Sequence, residues 1–488
     1  MEHVGTGATP AERSLAGAAA IRERRSSAGL RFALRRSGIE PALRLIPCAL
    51  AILADWLLLW PRAVFASAAR RAQQRARWEA RSAARLAATL GELKGPFAKA
   101  GQFAANRHDL FPPSLTTPFA ALRDRVPPLP FAEVRAAVEA ELGAPLSELF
   151  ADFEREPLGA ASIAQVHRAR LRSGETVAVK VQYPWLADSL RADLAWAGAA
   201  LRVFARRHGA VDRGRFLAEF AAGLGEELDF EREARVAGEI AGNLAHDPRV
   251  VVPRVFPSLG SRRVLTMSYL PAVRIDDRAG LARLQVAPRA VLEILARAYA
   301  KQVFVDGLFH ADPHPGNLFV IDEPSAAANP RLLFVDFGLS RRLEPGLRHE
   351  MRLGIFALLQ RDERAFLDGM QRMGMIAPGA REGVARAIAA MFDRIAGRGG
   401  ALGVAGAQIL SLKDEAKALL QETPGLQLPN DLLLFAKTLS YLFALGSELD
   451  PETDLMRLCL PYLLQFVARP EAPLSRAPGA TDAGPASG

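Results

Sequence analysis

The sequence contains only two cysteines, Cys48 and Cys459, among 488 residues. Two thiols are too few for a disulfide framework, and their wide separation along the chain gives no cysteine-based metal motif. A reducing compartment is therefore expected. Half of the residues are hydrophobic and 24% are charged, which excludes a disordered or fibrous protein. The length suits roughly two to four domains, or one large bilobal enzyme.

The sequence also lacks a run of about 20 apolar residues, the length that a membrane-spanning helix requires. Its most apolar window, Leu45–Trp60, contains Pro47 and Asp55 and is followed by Pro61. The window begins far from the N-terminus and without a cleavage-site context, which argues against a secretory signal. Three interpretations stay open for it: a packed helix, an interfacial amphipathic anchor or a membrane span. We expect a cytoplasmic protein with peripheral membrane contact at most.

Positive charge is concentrated at one end of the chain. The formal net charge is +9, and the first 100 residues contain 17 Lys or Arg against 7 Asp or Glu. Such a segment attracts anionic lipid headgroups or nucleic acid, although an arginine-rich, solubilising helix face has the same composition. Because there is no recognisable nucleic-acid reading module, we do not expect nucleic acid as a partner.

Composition and periodicity divide the chain into five predicted segments. They are a mobile basic arm (1–38), a helical extension (39–145), a small α+β lobe (146–270), a helical lobe (271–470) and a disordered tail (471–488). Within the extension, the Ala/Arg pattern predicts one long helix over Pro61–Leu93 and another over Phe97–His108.

Strand-like runs interrupt the helical pattern in both lobes. The runs IAQVHRARL and TVAVKVQY flank Ser173-Gly174 and predict a hairpin. Further strands are predicted at Val250–Phe256, at Arg263–Leu270, from Asn317 and from Leu332.

The strongest chemical signal is the segment His310–Asn317 followed by Asp336-Phe337-Gly338. An Asp five positions before an Asn, then a strand pair that ends in Asp-Phe-Gly, is the layout of a phosphoryl-transfer catalytic loop. Asp312 would accept or orient the proton of an attacking hydroxyl. Asn317 and Asp336 would supply oxygen ligands to Mg²⁺ bound to the phosphates of ATP.

Two other interpretations of this segment are possible, a zinc site and a polar turn. His310, Asp312 and His314 alternate along the chain and offer zinc ligands, but that interpretation leaves Asn317 and Asp336 unexplained. The segment is also compatible with a polar turn whose groups are merely hydrogen-bonded. We expect the two histidines to brace the loop through hydrogen bonds.

Upstream, Lys180 ends the sequence Val-Ala-Val-Lys in the second strand of the hairpin, where a lysine can reach the α- and β-phosphates of a nucleotide. A glutamate on the following helix would hold this lysine. The stretch Glu226–Glu233 offers several acidic residues, and helical spacing puts Glu226, Asp229 and Glu233 near one face. A merely solvated acidic face is the alternative.

Two features of ordinary protein kinases are missing. In place of a glycine-rich loop the hairpin has Pro157–Val166, whose small side chains still allow the backbone to approach phosphates. Between Asp336 and the helix expected near Leu347 there is no Ala-Pro-Glu and no long phosphorylatable segment. A peptide-docking activation loop has no room there, which disfavours a conventional protein kinase.

With these motifs the sequence resembles the UbiB/AarF group of ADCK-like atypical kinases, over roughly Leu93–Val467. Lys99-Ala100-Gly101-Gln102 is similar to that family's K-x-G-Q motif, and Gly159–Ser162 (Gly159, Ala160, Ala161, Ser162) to its alanine-rich nucleotide loop. Glu227-Leu228-Asp229 is similar to its E-x-D motif.

The resemblance implies an α+β, bilobal protein-kinase-like fold with an N-terminal helical extension that carries the K-x-G-Q motif. It further implies that Lys180 pairs with Glu233, that Asp312 is the catalytic-loop aspartate and that Asn317 and Asp336 hold the metal. Lys99, Gly101, Gln102, Glu227 and Asp229 would form a regulatory motif across the substrate site. ATP and Mg²⁺ would bind between the lobes, and the implied activity is ATP hydrolysis or small-molecule phosphorylation that supports quinone-lipid biosynthesis.

The chain departs from the family pattern in two places. Gly159 stands where the family commonly has a further alanine, and this bears on nucleotide preference and autophosphorylation. A polar C-terminal tail stands where the bacterial quinone-biosynthesis members have paired membrane spans, so Leu45–Trp60 is the candidate contact with an anionic membrane. The expected partners are a small-molecule or isoprenoid-lipid ligand, this membrane surface and quinone-biosynthesis proteins.

Two other functions remain as alternatives. One is a non-hydrolysing, membrane-proximal scaffold that closes on ATP and regulates a lipid-biosynthetic assembly. The other is a small-molecule phosphotransferase of the antibiotic-modifying kind, which shares the Asp-x-x-x-x-Asn loop but has no counterpart of the Lys99–Gln102 segment.

Overall fold

The computed structural model describes most of the chain between residues 39 and 468. The described residues are 39–64, 67–93, 95–106, 117–119, 128–186, 189, 192–196, 213–397, 423 and 425–468. The predicted mobile arm (1–38) and disordered tail (471–488) lie outside them. The chain divides into two compact units: unit 1 is Met1–Leu228 with Ser258–Thr266, and unit 2 is Asp229–Pro257 with Met267–Gly488. The predicted domain boundaries stay predictions.

The helices of unit 1 lie before and after its sheet. They are α1 (Ile39–Val64), α2 (Ala68–Leu93), α3 (Pro96–Asn106), α4 (Phe131–Leu142), α5 (Leu146–Leu149) and α6 (Arg213–Glu227). The single helix predicted over 61–93 is wrong, because α1 runs through Pro61 and α2 is a new helix. Ser67 decides that boundary: its hydroxyl accepts from the amide of Arg70 at 3.4 Å, as an N-cap does.

Helices α1 and α2 pack on each other. The indole nitrogen of Trp78 donates to the carbonyl oxygen of Ile52 at 3.3 Å, and Arg85 lies 2.8 Å from Asp55. Leu45, Cys48 and Ile52 are buried on the side of α1 that packs inward. The apolar window predicted at 45–60 therefore packs through a narrow side that includes these three residues, and it is otherwise largely at the surface.

The sheet of unit 1 contains β1 (Asp152–Ala160), β2 (Ala164–Arg170), β3 (Thr176–Gln182) and β5 (Val264–Ser268), in the order β1-β2-β3-β5. The predicted hairpin is confirmed, with Arg170 opposite Thr176 and a turn at Gly174, which takes φ +90°. Strand β1 was not predicted, because its first half is Asp-Phe-Glu-Arg-Glu, and its pairing with β2 shifts register around Pro157.

A buried polar cluster joins β1 and β2 to the start of α4. Gln165 accepts from the amide of Leu129 at 2.8 Å through its carbonyl oxygen, so its NH₂ group faces His167 Nε2, 2.7 Å away. His167 Nδ1 then carries the proton and donates to the carbonyl of Glu154 at 2.9 Å. Burial lowers the pKa of His167, against the opposing effect of the Glu154 carbonyl. The neutral ring is the form that the folded unit holds.

We predict that acid weakens unit 1 through His167. Its folded pKa lies below the unfolded value of about 6.5, so the unfolded chain binds more protons and the free energy of unfolding falls as pH drops below about 6.5. The loss continues until the lower folded pKa is reached. The test is urea unfolding followed by tryptophan fluorescence, since all tryptophans precede residue 229 and report on unit 1.

The matched variants are His167→Gln and His246→Gln, the second at an exposed position of unit 2. His167→Gln should flatten the decline between pH 7.5 and 5.5, and His246→Gln should leave it unchanged. An equal decline in all three proteins would contradict the assignment.

Unit 2 is mostly helical. Its helices are α7 (Phe230–Leu244), α8 (Arg278–Arg283), α9 (Pro288–Ala300), α10 (Pro345–Gln360), α11 (Glu363–Arg372), α12 (Arg381–Gly397), α13 (Asn430–Leu449) and α14 (Leu455–Ala468). A π-helical turn, Lys301–Asp306, continues α9, and Gly307 ends it at φ +68°. The buried core includes Ile294 and Tyr299 of α9 and Leu442 of α13.

Two small sheets bring together distant parts of unit 2. The strands are β4 (Val250–Val251), β6 (Ala272–Arg274), β7 (Leu308–Phe309), β8 (Leu318–Ile321), β9 (Leu332–Phe334) and β10 (Arg341–Arg342). One sheet has the order β4-β9-β8-β6, and the other pairs β10 with β7. The strand predicted over 250–256 is only two residues long, because Pro253 has no amide hydrogen for a ladder.

Within the part of the chain that the structure describes, two helices are long and apolar enough to cross a membrane by length and composition. In α1 the window Pro41–Leu59 is 17% buried, and α13 is 44% buried. Leu433 and Leu434 of α13 are buried in unit 2, which is how a core helix of a globular unit behaves.

Candidate active site

The predicted catalytic loop lies between β7 and β8 and is braced by His310. The amide of His310 donates to the Gln302 side chain at 2.9 Å, and its Nδ1 lies 3.3 Å from both the Tyr299 hydroxyl and the Asp312 amide. Its Nε2 is 3.1 Å from the carbonyl of Val335. With Nδ1 as acceptor, Nε2 carries the hydrogen, so the buried ring is neutral. Burial and nearby Asp312 raise the pKa of Tyr299 well above its usual range, which keeps the hydroxyl a donor.

The carboxylate of Asp312 is held from both sides. Lys437 Nζ lies 3.0 Å from Oδ1, and the amide nitrogen of Asn317 lies 3.3 Å from Oδ2 and 3.1 Å from the Asp312 carbonyl. The Asn317 amide nitrogen is thus turned toward Asp312. Its oxygen is the remaining amide atom for a cation.

The zinc interpretation finds no support. Among the described residues, no three His, Cys, Asp or Glu side chains are arranged to hold a metal ion. His314 Nδ1 accepts from the amide of Gly316 at 3.1 Å and so caps the short turn Pro315–Asn317. Both histidines brace the loop. A magnesium site does not need three such side chains, because Mg²⁺ keeps several waters and takes one or two protein oxygens beside the phosphates.

Asp336 lies two residues beyond β9, at the end of β9 that pairs with the start of β8. Strands β8 and β9 pair with Leu318 opposite Phe334, and the amide of Val335 donates to the carbonyl of Asn317 at 3.0 Å. Asp336 adopts φ +62°, a left-handed conformation that is uncommon outside glycine and clusters at functional sites. Antiparallel pairing therefore brings the two predicted metal ligands to the same end of the β8–β9 pair.

The first turn of α7 holds the segment that follows Asp336. Glu233 is 1% exposed and accepts from the amide of Phe337 at 3.2 Å. Its Oε2 and the Oδ1 of Asp336 both approach the position that a Cβ would occupy at Gly338, at 3.7 and 3.4 Å. Arg232 donates to the carbonyls of Gly338 and Ser340, at 3.2 and 3.1 Å. The Asp-Phe-Gly segment is thereby clamped by two neighbouring side chains.

Asp229 lies between the end of α6 and the start of α7. It is the N-cap of α7, with its side chain accepting from the amide of Arg232 at 2.8 Å. The single acidic helix predicted over 226–233 is therefore wrong: α6 ends at Glu227, and Asp229 takes an extended conformation. A short acceptor side chain at an N-cap competes with helix continuation, which explains the break.

In unit 1 the predicted nucleotide loop is a tight turn between β1 and β2. The amide of Ala161 donates to the carbonyl of Ala164 at 2.8 Å, and the Tyr183 hydroxyl donates to the carbonyl of Ala161 at 2.8 Å. Gly159 and Ala161 are exposed, Ala160 is half-buried and Ser162 is buried. A Cβ at Gly159 would meet no atom within 4 Å, so an alanine would fit there.

Lys180 lies in the middle of the same sheet. It pairs with Val166 across β2 and β3 and is 8% exposed. Lys180 belongs to unit 1 and Glu233 to unit 2, and their pairing stays a prediction.

Two contacts within unit 1 fix the start of α3, the helix that carries Lys99. Lys99 Nζ lies 2.7 Å from Glu227 Oε2, and both side chains are largely buried. The amide of Gly95, just before α3, donates to the carbonyl of Ser162 at 3.1 Å. Lys99 of the predicted K-x-G-Q motif thus contacts the glutamate of the predicted E-x-D motif. Gly101 is buried in α3, and the side chain of Gln102 lies outside the described residues.

Comparison with known proteins identifies a kinase-like domain in the chain. Residues 121–369 match the ABC1 atypical kinase-like domain. A Synechocystis protein, sll0095, is 33% identical over 393 residues, which is 78% of this chain and 67% of that protein. A probable protein kinase UbiB of Marinobacter nauticus is 31% identical over 384 residues, 78% of this chain and 69% of that one. An AarF domain-containing protein kinase 1 of Xenopus laevis is 34% identical over 281 residues, 58% and 54%.

The chain belongs to the UbiB/AarF family. The predicted family and the predicted α+β, kinase-like fold class are confirmed. The chain spans about half to two thirds of the length of these relatives. The matched domain contains Lys180, Glu233, Asp312, Asn317 and Asp336, whereas Lys99 and Lys437 lie outside it.

Sequence reasoning missed three residues of this UbiB/AarF site: Lys437, Arg232 and Tyr299. Lys437 lies 125 residues from its partner Asp312. The sequence around a lysine on an apolar helix does not indicate which distant carboxylate it will contact. Arg232 is next to the predicted site residue Glu233, but it donates to backbone carbonyl oxygens. Every residue has a backbone carbonyl, so the sequence does not indicate which one an arginine will contact. Tyr299 belongs to an apolar helix face and was indistinguishable from core.

We predict that Asp229 acts as a cap for the helix that clamps the Asp-Phe-Gly segment. Asp229→Ala should lower the free energy of unfolding of unit 2 by about 1 kcal/mol, whereas Asp229→Ser, which keeps a cap, should retain most of it. Thermal unfolding followed by circular dichroism measures the loss. Asp362→Ala is the matched control, since Asp362 caps α11 in the same way.

Asp362→Ala, which removes another cap of the same kind, should lower the free energy of unfolding by a similar amount. A serine variant as destabilised as Asp229→Ala would show that the carboxylate of Asp229 does more than cap α7.

Proposed function

We propose that this UbiB/AarF protein binds Mg-ATP and either hydrolyses it or transfers its γ-phosphoryl group to a small molecule. The observation that carries the proposal is the convergence of Asp312, Asn317 and Asp336 around the β7–β8 loop and the β8–β9 pair. Hard carboxylate and amide oxygens are the ligands that Mg²⁺ prefers.

The proposed roles are assigned to each unit by itself. In unit 1, Lys180 and the backbone of Gly159–Ser162 bind the nucleotide phosphates. In unit 2, Asn317 and Asp336 hold Mg²⁺, which neutralises charge on the phosphates when bound. Asp312 accepts a hydrogen bond from the attacking O–H through Oδ2 and orients it.

In the proposed step an oxygen of water or of a small alcohol bonds to the γ-phosphorus. The bond from that phosphorus to the β–γ bridging oxygen breaks, and ADP leaves with the electron pair. The proton of the attacking O–H passes to Asp312 and from there to solvent. Catalysis is then mainly positioning and charge stabilisation, as in other phosphoryl transfers.

The segment after Asp336 supports a small acceptor over a peptide. Arg341 and Arg342 form β10 and pair with β7, and Pro345 already begins α10. Together with the Arg232 contacts, this leaves no length between residues 338 and 345 for a docking segment. We propose water or a small hydroxyl compound as the acceptor, in support of isoprenoid quinone or related lipid biosynthesis. Comparison of quinone intermediates in cells with and without the protein tests the pathway.

We predict that Asp336→Asn lowers Mg²⁺-dependent phosphate release from ATP at least about 100-fold, because a neutral amide is a poorer metal ligand than a carboxylate. Asparagine tolerates the left-handed conformation of Asp336, so the fold should persist. The control is Asp322→Asn, at an exposed carboxylate that pairs with Arg283 at the far end of β8. Undiminished release in Asp336→Asn would refute the metal assignment.

We also propose that α1 contacts an anionic membrane surface. Ile39, Leu43, Ile46, Leu50, Leu53, Leu57 and Leu58 are 48–64% exposed, and the first six recur every three or four residues along one stripe. The opposite side of α1 packs on α2, whose exposed side chains include Arg70, Arg71 and Arg77. A helix that lies against a basic partner suits in-plane binding at headgroup depth more than crossing.

We predict that the triple change Leu43→Ser, Leu50→Ser, Leu57→Ser lowers co-sedimentation with anionic liposomes at least about tenfold, because buried apolar area drives interfacial binding. The matched control is Leu353→Ser, Phe356→Ser, Leu359→Ser, at exposed apolar positions of α10. If the control loses as much binding as the α1 variant, α1 is not the contact.

A further inference from the structure

The catalytic loop has no strong cation of its own. Between His310 and Asn317 the sequence contains no Lys or Arg, and His310 is neutral by its hydrogen bonds. Phosphoryl transfer nonetheless needs a carboxylate held rigidly beside the reacting phosphorus. A partly buried carboxylate without a compensating charge is costly and poorly fixed.

Lys437 supplies that charge from α13. Its Nζ lies 3.0 Å from Asp312 Oδ1, and the two side chains are only 16% and 24% exposed. One turn further along α13, Tyr441 places its ring 5.5 Å from the ammonium and also contacts the His314 ring. The ammonium that contacts Asp312 therefore belongs to α13 and not to the loop itself.

The neighbouring residue of α13 holds the loop backbone. Thr438 is fully buried, and its hydroxyl donates to the carbonyl of Leu434 in its own helix at 2.8 Å and also lies 3.2 Å from the carbonyl of Ala311, the residue before Asp312. Leu434, one turn earlier, packs in the same buried cluster as Phe309 and Ala311. Successive side chains of α13 thus contact both the backbone and the carboxylate at the centre of the loop.

We propose that Lys437 is a positioning residue of the phosphoryl-transfer site, which locks Oδ1 of Asp312 so that Oδ2 alone faces the attacking O–H. The inference rests on the proposed function. Lys437 acts through Asp312, because it fixes the rotamer of the carboxylate. Its loss should affect the chemical step and leave nucleotide affinity in place.

The test uses the full chain with Mg-ATP and measures phosphate release. Lys437→Met, which keeps the length and removes the charge, should lower kcat about 10- to 100-fold with KM for ATP changed less than about threefold. Lys437→Arg, which keeps the charge, should return kcat to within about tenfold of wild type. If Lys437→Met does not fold, Lys437→Gln takes its place. Glu448→Gln, at an exposed position of the same helix, is the matched control and should leave kcat unchanged.

A double-mutant cycle with Asp312→Asn separates positioning from a general structural role. If Lys437 acts through Asp312, the double variant should be no slower than Asp312→Asn alone. Multiplying losses, a wild-type kcat in Lys437→Met, or an unchanged kcat with a raised KM would overturn the proposal. A wild-type protein that releases no phosphate would instead refute the proposed function itself, and this inference with it.

Discussion

The ion pair between Asp312 and Lys437 is the interaction on which the organisation of unit 2 around its loop depends. It joins the loop after β7 to a helix more than 100 residues later, and Asn317 completes it on the other carboxylate oxygen. Removing either partner of such a pair strands a charge in a poorly solvated place, which costs far more than the pair contributes. The helix α13 is therefore tied to the loop by charge as well as by apolar packing.

The first turn of α7 is the second constraint. Asp229 caps this turn. Arg232 donates to the carbonyls of Gly338 and Ser340, and Glu233 accepts from the amide of Phe337. Because these contacts hold residues 337–340, the Asp-Phe-Gly segment needs no long activation loop to order it. The connection to α10 is short, since Pro345 already begins that helix.

Unit 1 presents phosphate-binding candidates in another way. The turn at Ala161 is closed by a backbone hydrogen bond and by the Tyr183 hydroxyl. Contacts within unit 1 therefore already restrict the conformations of this turn. The bond from Gly95 to Ser162 extends this order to the helix that carries Lys99.

The sequence by itself determined the β2–β3 hairpin and the strand pair that ends at Asp336, because local periodicity encodes them. Its motifs carried the resemblance that implied the family and the fold class. It failed at the helix boundaries near Ser67 and Asp229, where single capping side chains outweigh the helical pattern. Only the tertiary structure decided which cation meets Asp312 and which side chains clamp Gly338. Those contacts join residues about 100 or more positions apart, and a charge on a helix does not state which distant partner the packing of that helix will bring within 3 Å.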